Sequence, residues 1–586
     1  MSILLDAYAA RSCPVKTQNR YDATVGEPAS EPDEALQEIF AGGKVFTDEM
    51  LRLMAGATGA VDLRTGGRSD RAGGPAEDGR SEDGRGATSA ERVTETLQAM
   101  AAGARVVIGP RLPVDQAGHR VGAPDLLVRG QDQADGRPGY LPVQVKRHRV
   151  VEQHAQAETA GRFSRVSSPE RSFETPGLGF KSSREADLLQ LAHYWRLLEA
   201  AGWAAGGTPS GGIIGTDTVR GSQQPMICWA DLTQKFIRTF SRTAVTGWRL
   251  RSALERYDHE FGFRLKVAQV ARQRTGSPDD PRPMVAPIVV RECDHCLWWE
   301  VCKPQLGEDD LSLRISKSPL DVREISVLRS HGINTLADLA GTDVEALMDS
   351  YLPQVRHRSG AESRLRLAAR RATLMLAGVE LERLTADPIE LPDAGLEIDF
   401  DIETSAGDRV YLWGFLLHDR LAGTEPEYRA FVRFQDLDNA SEVELAAATI
   451  GWLDELVRER PDTLIYHYSD YEVVHLLRLA RRSGDAELVA AAQRVREHFV
   501  DMFTLVKGHF FGTFGLGLKV VARSGPGFEW RDEDPGGLNS QKWFVDAVHC
   551  TTEAEREQAR VRVLEYNEDD VRATHHLRAW LRSLKS

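Results

Sequence analysis

Apolar residues recur at helical spacing through 91–103, and three short apolar or alternating runs follow, VVIGPRL, DLLVRG and LPVQVKRH, each closed by turn residues. That order predicts a helix leading into a strand meander. Residues 186–201 predict a strong amphipathic helix, and 318–384 predict a series of short helices with HGINTLADLAG in their midst. DPIELPDAG is punctuated by proline and reads as a linker. From 397 to the carboxyl end strands and helices alternate, as in an α/β domain with a mixed sheet. Residues 66–86 (GGRSDRAGGPAEDGRSEDGRG) carry almost nothing apolar to offset the entropy of ordering, so a flexible insertion is expected there.

At 586 residues the chain exceeds what one core supports, roughly 250–300 residues, so two large domains with something smaller between them are expected. With 41% hydrophobic and 27% charged residues and no uncharged apolar run long enough for a bilayer, the composition argues against a membrane-spanning role. The start, MSILLDAYAARSCPVKTQNRYD, lacks a basic segment followed by a long apolar one, which points to a cytoplasmic, reducing location. A net charge of −14 argues against a uniformly basic nucleic-acid binder. It leaves a nuclease open, because carboxylate-rich sites bind divalent metals, and these can act with local basic strips such as 356–371.

In a reducing compartment six cysteines suit metal, cluster or burial better than disulfides. Cys293, Cys296 and Cys302 form a C-x2-C-x5-C pattern in ECDHCLWWEVCK, and Cys13 stands alone near the other end of the same segment. Four thiolates suit a tetrahedral zinc or a cubane iron–sulfur cluster. The arrangement resembles the iron–sulfur nuclease domains of the RecB-like family, including the CRISPR-adaptation nucleases and the AddB helicase-nucleases. The resemblance implies a 4Fe-4S cluster held by all four. The alternative is a zinc knuckle of three cysteines with His295, leaving Cys13 merely buried. Cys228 and Cys550 lie in apolar surroundings and are expected in the core.

Between the cysteines come GAPDLLVRG, YLPVQVKRH and LLQLAHYW. Their order resembles the PD-(D/E)XK nucleases of RecB-like type, with an acid after a strand, an acid-x-lysine on the next strand and Q-x-x-x-Y on a helix. The match falls on Asp125, on Gln144 with Lys146, and on Gln190 with Tyr194. Alternate strand residues share a face, so 144 and 146 can serve one pocket, and residues four apart on a helix meet. The resemblance implies that Asp125 holds Mg²⁺ or Mn²⁺ and that Lys146 activates the attacking water. Gln144 departs from the family's usual acid and brings no charge. Glu95, on the preceding helix, is either a further acid of the site or a solvated helix residue.

In LEIDFDIETSAGDRVYLWGFLL, Asp401 and Glu403 are two apart on a strand and so share a face. LIYHYSDYEVVHLLRL then places Glu472 at the start of a helix, and in VLEYNEDDVRATHHL Tyr566 and Asp570 are four apart on one helical side. D-x-E, a mid-domain acid and Y-x-x-x-D resemble the tyrosine-bearing DEDD exonucleases of ribonuclease-H-like fold, and GLGLKVVAR resembles their intervening loop and helix. The resemblance implies that Asp401, Glu403, Glu472 and Asp570 ligate two Mg²⁺ or Mn²⁺ while Tyr566 positions water for 3′-to-5′ hydrolysis. Glu472 stands where aspartate is usual, which leaves Asp470 and Asp501 as alternatives.

HGINTLADLAG resembles a helix-hairpin-helix, whose turn can direct N–H groups at phosphate, or it is a plain helical spacer. The expected fold is multidomain α/β: a RecB-like PD-(D/E)XK domain over 1–310, a helical hairpin module over 311–388, and a ribonuclease-H-like exonuclease over 389–586. The layout resembles the predicted RecB-like nucleases of bacteria, and the Ala-, Arg- and Gly-rich composition suits an actinobacterial source. It implies an enzyme of DNA repair, recombination or defence that trims DNA ends, with a helicase or repair protein as partner. Two other readings stay open: a first domain that only binds DNA ends, and an RNA-processing exonuclease.

Overall fold

The computed structural model describes residues 2–29, 34–56, 59–64, 88–153, 160–217, 225–315, 320–533 and 535–584. The expected insertion at 66–86 lies outside them. The chain forms two compact units, Met1–Ala368 and Ala369–Ser586, so the segment 311–388 contributes to both. Among the described residues no helix is long and apolar enough to cross a membrane.

The first unit is built on an eight-stranded sheet in the order Ala60–Asp62, Val106–Ile108, Leu126–Arg129, Tyr140–Val145, Ser210–Ile214, Met226–Asp231, Ala160–Arg165, Ser168–Pro176. The predicted meander forms its middle, with Val106–Ile108, Leu126–Arg129 and Tyr140–Val145 paired antiparallel. Tyr140–Val145 then pairs in parallel with Ser210–Ile214, a crossover that needs a long connection. Helix Glu185–Ala201 lies within that connection and ends at Gly202, whose φ of 73° suits a residue without a β-carbon. The helix is less amphipathic than its sequence suggested. Residues 187–195 are all buried, since it packs on the sheet and also against helix Ala253–Ala271.

The helices Val322–Ser330, Leu336–Ala340 and Val344–Val355 follow, then Ala361–Leu376, which spans the division between the units. The basic strip expected at 356–371 is largely neutralised. Arg358 pairs with Asp321, Arg364 with Glu324, and Arg366 with Glu345 and Glu362. Cys228 is core, as expected, whereas Cys550 is only half-buried, because it caps the end of helix Gly537–His549.

The second unit has a five-stranded sheet in the order Glu427–Val432, Val410–Asp419, Leu396–Thr404, Thr463–His467, Phe499–Asp501. The first three strands are antiparallel and the last two join in parallel. Leu396–Thr404 is central and two-faced. Ile398, Phe400 and Ile402 enter a core with Trp413, Phe415, Ile450, Leu453 and Leu476. Glu397, Asp399, Asp401 and Glu403 alternate with them and point to the opposite face. That face is covered by the long C-terminal helix Glu553–Ser583.

Candidate active site

Four acids in a row on one strand face demand counter-charge, and the C-terminal helix answers differently along its length. Near its end Arg578, only 2% exposed, reaches both Glu397 and Asp399, donating to Asp399 Oδ2 over 2.8 Å, and Arg582 donates to Glu397 Oε1 over 2.7 Å. Burial pushes the Glu397 carboxyl up, but Arg582, Arg578 and Arg420 outweigh it and hold the group at about 2. Two turns earlier the same helix presents Asn567 and Asp570 instead of arginines. Asn567 Nδ2 donates to Asp401 Oδ2 over 2.7 Å. Its amide fits there because Gly414, paired with Asp401 across the sheet, has no β-carbon; one built at 414 would collide with it.

The result is a concentration of uncompensated acid. Asp401, Glu403 and Asp570 bring ligand atoms within 4.8 Å of one another. Burial, then repulsion from Glu403, Asp570 and Glu472, drives the Asp401 carboxyl well above the usual range. Burial and Asp570 push Glu403 to about 8, against the opposing help of Ser540, whose hydroxyl donates to Glu403 Oε2 over 2.7 Å. Burial also raises Asp570, though Lys519 lies 3.6 Å away and Trp530 Nε1 donates to it over 2.7 Å.

Glu472 comes from the start of helix Tyr471–Ser483 and is 4% exposed. Among the described residues its Oε2 has no hydrogen-bond partner, and His467 Nδ1 stands 3.8 Å off. The approach to this helix passes through Ser469, whose φ of 101° is uncommon for a residue with a side chain. Asp501 is instead spent on capping, accepting from Ser469 and Phe503 N–H and from Thr504, and Asp470 is exposed. Tyr566 is buried, and the Lys519 ammonium donates to its hydroxyl.

A largely buried acidic trio with a fourth acid whose oxygen lacks a partner among the described residues fits hard divalent cations such as Mg²⁺ or Mn²⁺, which take oxygen ligands. Asp401, Glu403, Asp570 and Glu472 are the residues that would hold them. Lys519, Asn567, Ser540 and Trp530 do not stand out in the sequence. Lys519 lies inside GLGLKVVAR and Asn567 beside Tyr566, yet neither has a spacing rule of its own.

The five residues matched in the first unit also converge. Asp125 Oδ2 accepts from Val145 N–H over 2.7 Å, and Lys146 Nζ donates to Gln190 Oε1 over 2.8 Å. Gln190 Nε2 lies 3.4 Å from Tyr194 Oη. Gln144 satisfies both its ends when its amide nitrogen faces Asp125 Oδ2 at 3.2 Å and its oxygen accepts from Asp125 N–H at 2.9 Å. A glutamate could not donate that bond. Arg11 donates to the same Gln190 oxygen over 2.6 Å and stands 3.9 Å from Asp187, whose other partner is His148 at 2.7 Å. Burial pushes the Asp125 carboxyl up and the Lys146 ammonium down, each toward its neutral form, while Arg11 stands by Asp187. Glu95 is no part of this pocket: its half-exposed side chain pairs with Arg92 on its own helix.

Cys13, Cys293, Cys296 and Cys302 line one cavity with Lys16, Trp298 and Trp299. Asn19 and the Val290 N–H donate to the sulfurs of Cys302 and Cys293. Among the described residues, however, only the carboxylate trio places ligand atoms within 4.8 Å of one another.

Residues 398–582 match the RNase_H_2 family of the RNase_H superfamily, and the match contains Asp401, Glu403, Glu472, Tyr566 and Asp570. No curated protein and no solved structure matches the chain. The chain carries an RNase H-like domain, which points to a nuclease-like activity, within a mixed α/β architecture.

Proposed function

We propose that this chain is a metal-dependent exonuclease that removes nucleotides from the 3′ ends of nucleic acid, DNA in preference to RNA. The observation that carries the reading is the gathering of Asp401, Glu403 and Asp570, with Glu472 nearby, beside Lys519. Bound Mg²⁺ or Mn²⁺ supplies Lewis acidity and charge neutralisation at a phosphate. Tyr566, held by Lys519, would orient the attacking water, and Asn567 and Ser540 would keep Asp401 and Glu403 in place.

For the first unit the commitment of Asp125 to Val145 N–H and Gln144, and of Asp187 to His148 with Arg11 nearby, favours the end-binding reading over a second hydrolytic centre. A PD-(D/E)XK-like pocket whose acids are so engaged can seat a strand end without demanding a cation. The four cysteines are assigned to a 4Fe-4S cluster, with zinc as the alternative, because four thiols lining one cavity suit such a group. Anaerobically purified protein is expected to carry about four iron atoms and matching labile sulfide per chain; one zinc and no iron would refute the assignment. Work on DNA ends in repair, recombination or defence, in the cytoplasm and beside a helicase or repair protein, completes the proposal.

End-labelled single and double strands test it. With Mg²⁺ or Mn²⁺ a 3′ label should be released at once as mononucleotide while a 5′ label passes through a ladder of shortening products. EDTA should stop both, and Lys146→Ala should keep the rate within about threefold. Internal fragments, survival in EDTA, or a rate that follows Lys146 would each overturn the reading, and faster loss of RNA would reassign the substrate.

A further inference from the structure

The strands Ile237–Phe240 and Trp248–Arg251 form a two-stranded antiparallel ribbon separate from the main sheet of the first unit. We propose that this ribbon docks the phosphate backbone of double-stranded nucleic acid, an inference that rests on the nucleic-acid reading above. In a chain with 87 acidic and 73 basic residues, the stretch from 232 to 254 holds Lys235, Arg238, Arg242, Arg249 and Arg251 and no acid at all. Such a run is a local reversal of the overall charge.

What these cations touch separates them from the strip at 356–371. Arg238, Arg242 and Arg249 are exposed and Arg251 is half-buried. Among the described residues none of these four has a carboxylate within ion-pair distance; only Lys235 is paired, with Glu255 at 3.0 Å. Arg242 sits in the turn beside Val245, which is fully exposed at the tip. Arg249 and Arg251 alternate on one face of their strand.

The ribbon's aromatic rings explain why a duplex fits better than an unpaired strand. Single strands are held by free rings on which bases stack. Here the Arg238 guanidinium covers Trp248 at 4.1 Å and the Arg323 guanidinium covers Phe240 at 3.5 Å, so neither ring is free. The remaining donors are guanidinium groups, which suit phosphate oxygens, and a two-stranded ribbon is of a size that the major groove admits. The scaffold is anchored apart from them: Ile237 lies in the core and Arg238 donates to the Arg356 carbonyl over 2.7 Å. Changing Arg242 and Arg249 therefore leaves its supports intact.

The test uses the full chain and the double variant Arg242→Glu/Arg249→Glu. Binding of a short fluorescein-labelled DNA duplex is followed in EDTA by anisotropy across about 50–200 mM salt. The variant should bind at least about tenfold more weakly, with a salt slope shallower by about 2, close to 0.9 for each phosphate no longer neutralised. Arg242→Lys/Arg249→Lys should bind as the wild type does. Hydrolysis of the p-nitrophenyl ester of thymidine 5′-monophosphate with Mn²⁺ should be unchanged in both variants, since neither arginine belongs to the carboxylate site. Unchanged duplex affinity and slope would overturn the proposal, as would loss confined to an unpaired strand or to phosphatidylserine vesicles. If the wild type fails to cleave the ester while the reversal variant still loses the duplex, the catalytic reading falls and the ribbon stands.

Discussion

Asp401→Asn is expected to lower the rate of phosphodiester hydrolysis by about 10³-fold or more, while the metal-free protein becomes more stable rather than less. Both effects have one origin. Asp401 is half-buried beside Glu403, Asp570 and Glu472; Lys519 opposes Asp401, Glu403 and Asp570, and His467 faces Glu472. Asparagine keeps an oxygen for the Asn567 amide, which donates to Asp401 Oδ2 over 2.7 Å, but cannot ionise, so it escapes the cost of either repelling its neighbours or taking up a proton. Relief of that repulsion should contribute about 1 kcal/mol in EDTA, a rise in Tm of roughly 2–4 °C for a unit of this size.

The same repulsion sets a pH dependence. Glu403 is raised from 4.5 to about 8, chiefly by burial and next by Asp570, so the folded state binds its proton more tightly than the unfolded chain does. The associated stability is complete below pH 4.5 and is lost as pH rises through about 8. Melting in EDTA should thus fall over that window, and saturating Mn²⁺ should restore most of the loss on the alkaline side. A Tm lowered by Asp401→Asn, or a flat profile in EDTA, would speak against the charge argument.

The second large effect is structural. Arg578→Met is expected to destabilise the C-terminal unit by about 3–5 kcal/mol, because breaking a buried ion pair from one side leaves its partners charged and unsolvated. Arg578 is 2% exposed, and Glu397 and Asp399 are fully buried. Methionine fills a comparable volume, so packing alone would not produce such a loss. Thermal melts should show a drop of roughly 10 °C. Adding Glu397→Gln and Asp399→Asn should recover a substantial part of it, since the pair is then removed from both sides. A drop below about 1 kcal/mol would mean that Arg582 and Arg420 already neutralise this end of the strand.

These two variants probe opposite ends of one acid-bearing strand, and that strand also marks what the residue pattern made legible. Asp401 and Glu403 could be paired because alternation on a strand is a local rule, and Tyr566 and Asp570 because four residues make one helical turn. Their meeting depended only on the helix returning to the sheet, which the alternating pattern after 397 implied. Lys519, Ser540 and Trp530 arrive from separate loops and helices, and nothing short of the packed fold brings them to the carboxylates.

In the first unit Asp125, Gln144, Lys146, Gln190 and Tyr194 were legible for the same local reasons. Arg11 and Asp187, which change the pocket's charge balance, were not, because Arg11 lies 179 residues from its partner Gln190. Charge was least legible of all. The basic strip at 356–371 looked available until its carboxylate partners came into contact, whereas the ribbon's arginines stay unpaired among the described residues. Composition counts charges and cannot see which ones cancel.

Calorimetric titration of Mn²⁺ into the metal-free chain and into Asp401→Asn at one pH near neutrality tests the account most directly. The wild type should take up about two ions per chain with release of protons, as carboxyls held neutral by their neighbours ionise around the cations. The variant should show little or no binding heat over the same range. Equal binding by both proteins, or none by the wild type, would contradict the assignment of Asp401, Glu403, Glu472 and Asp570 as a divalent-cation site.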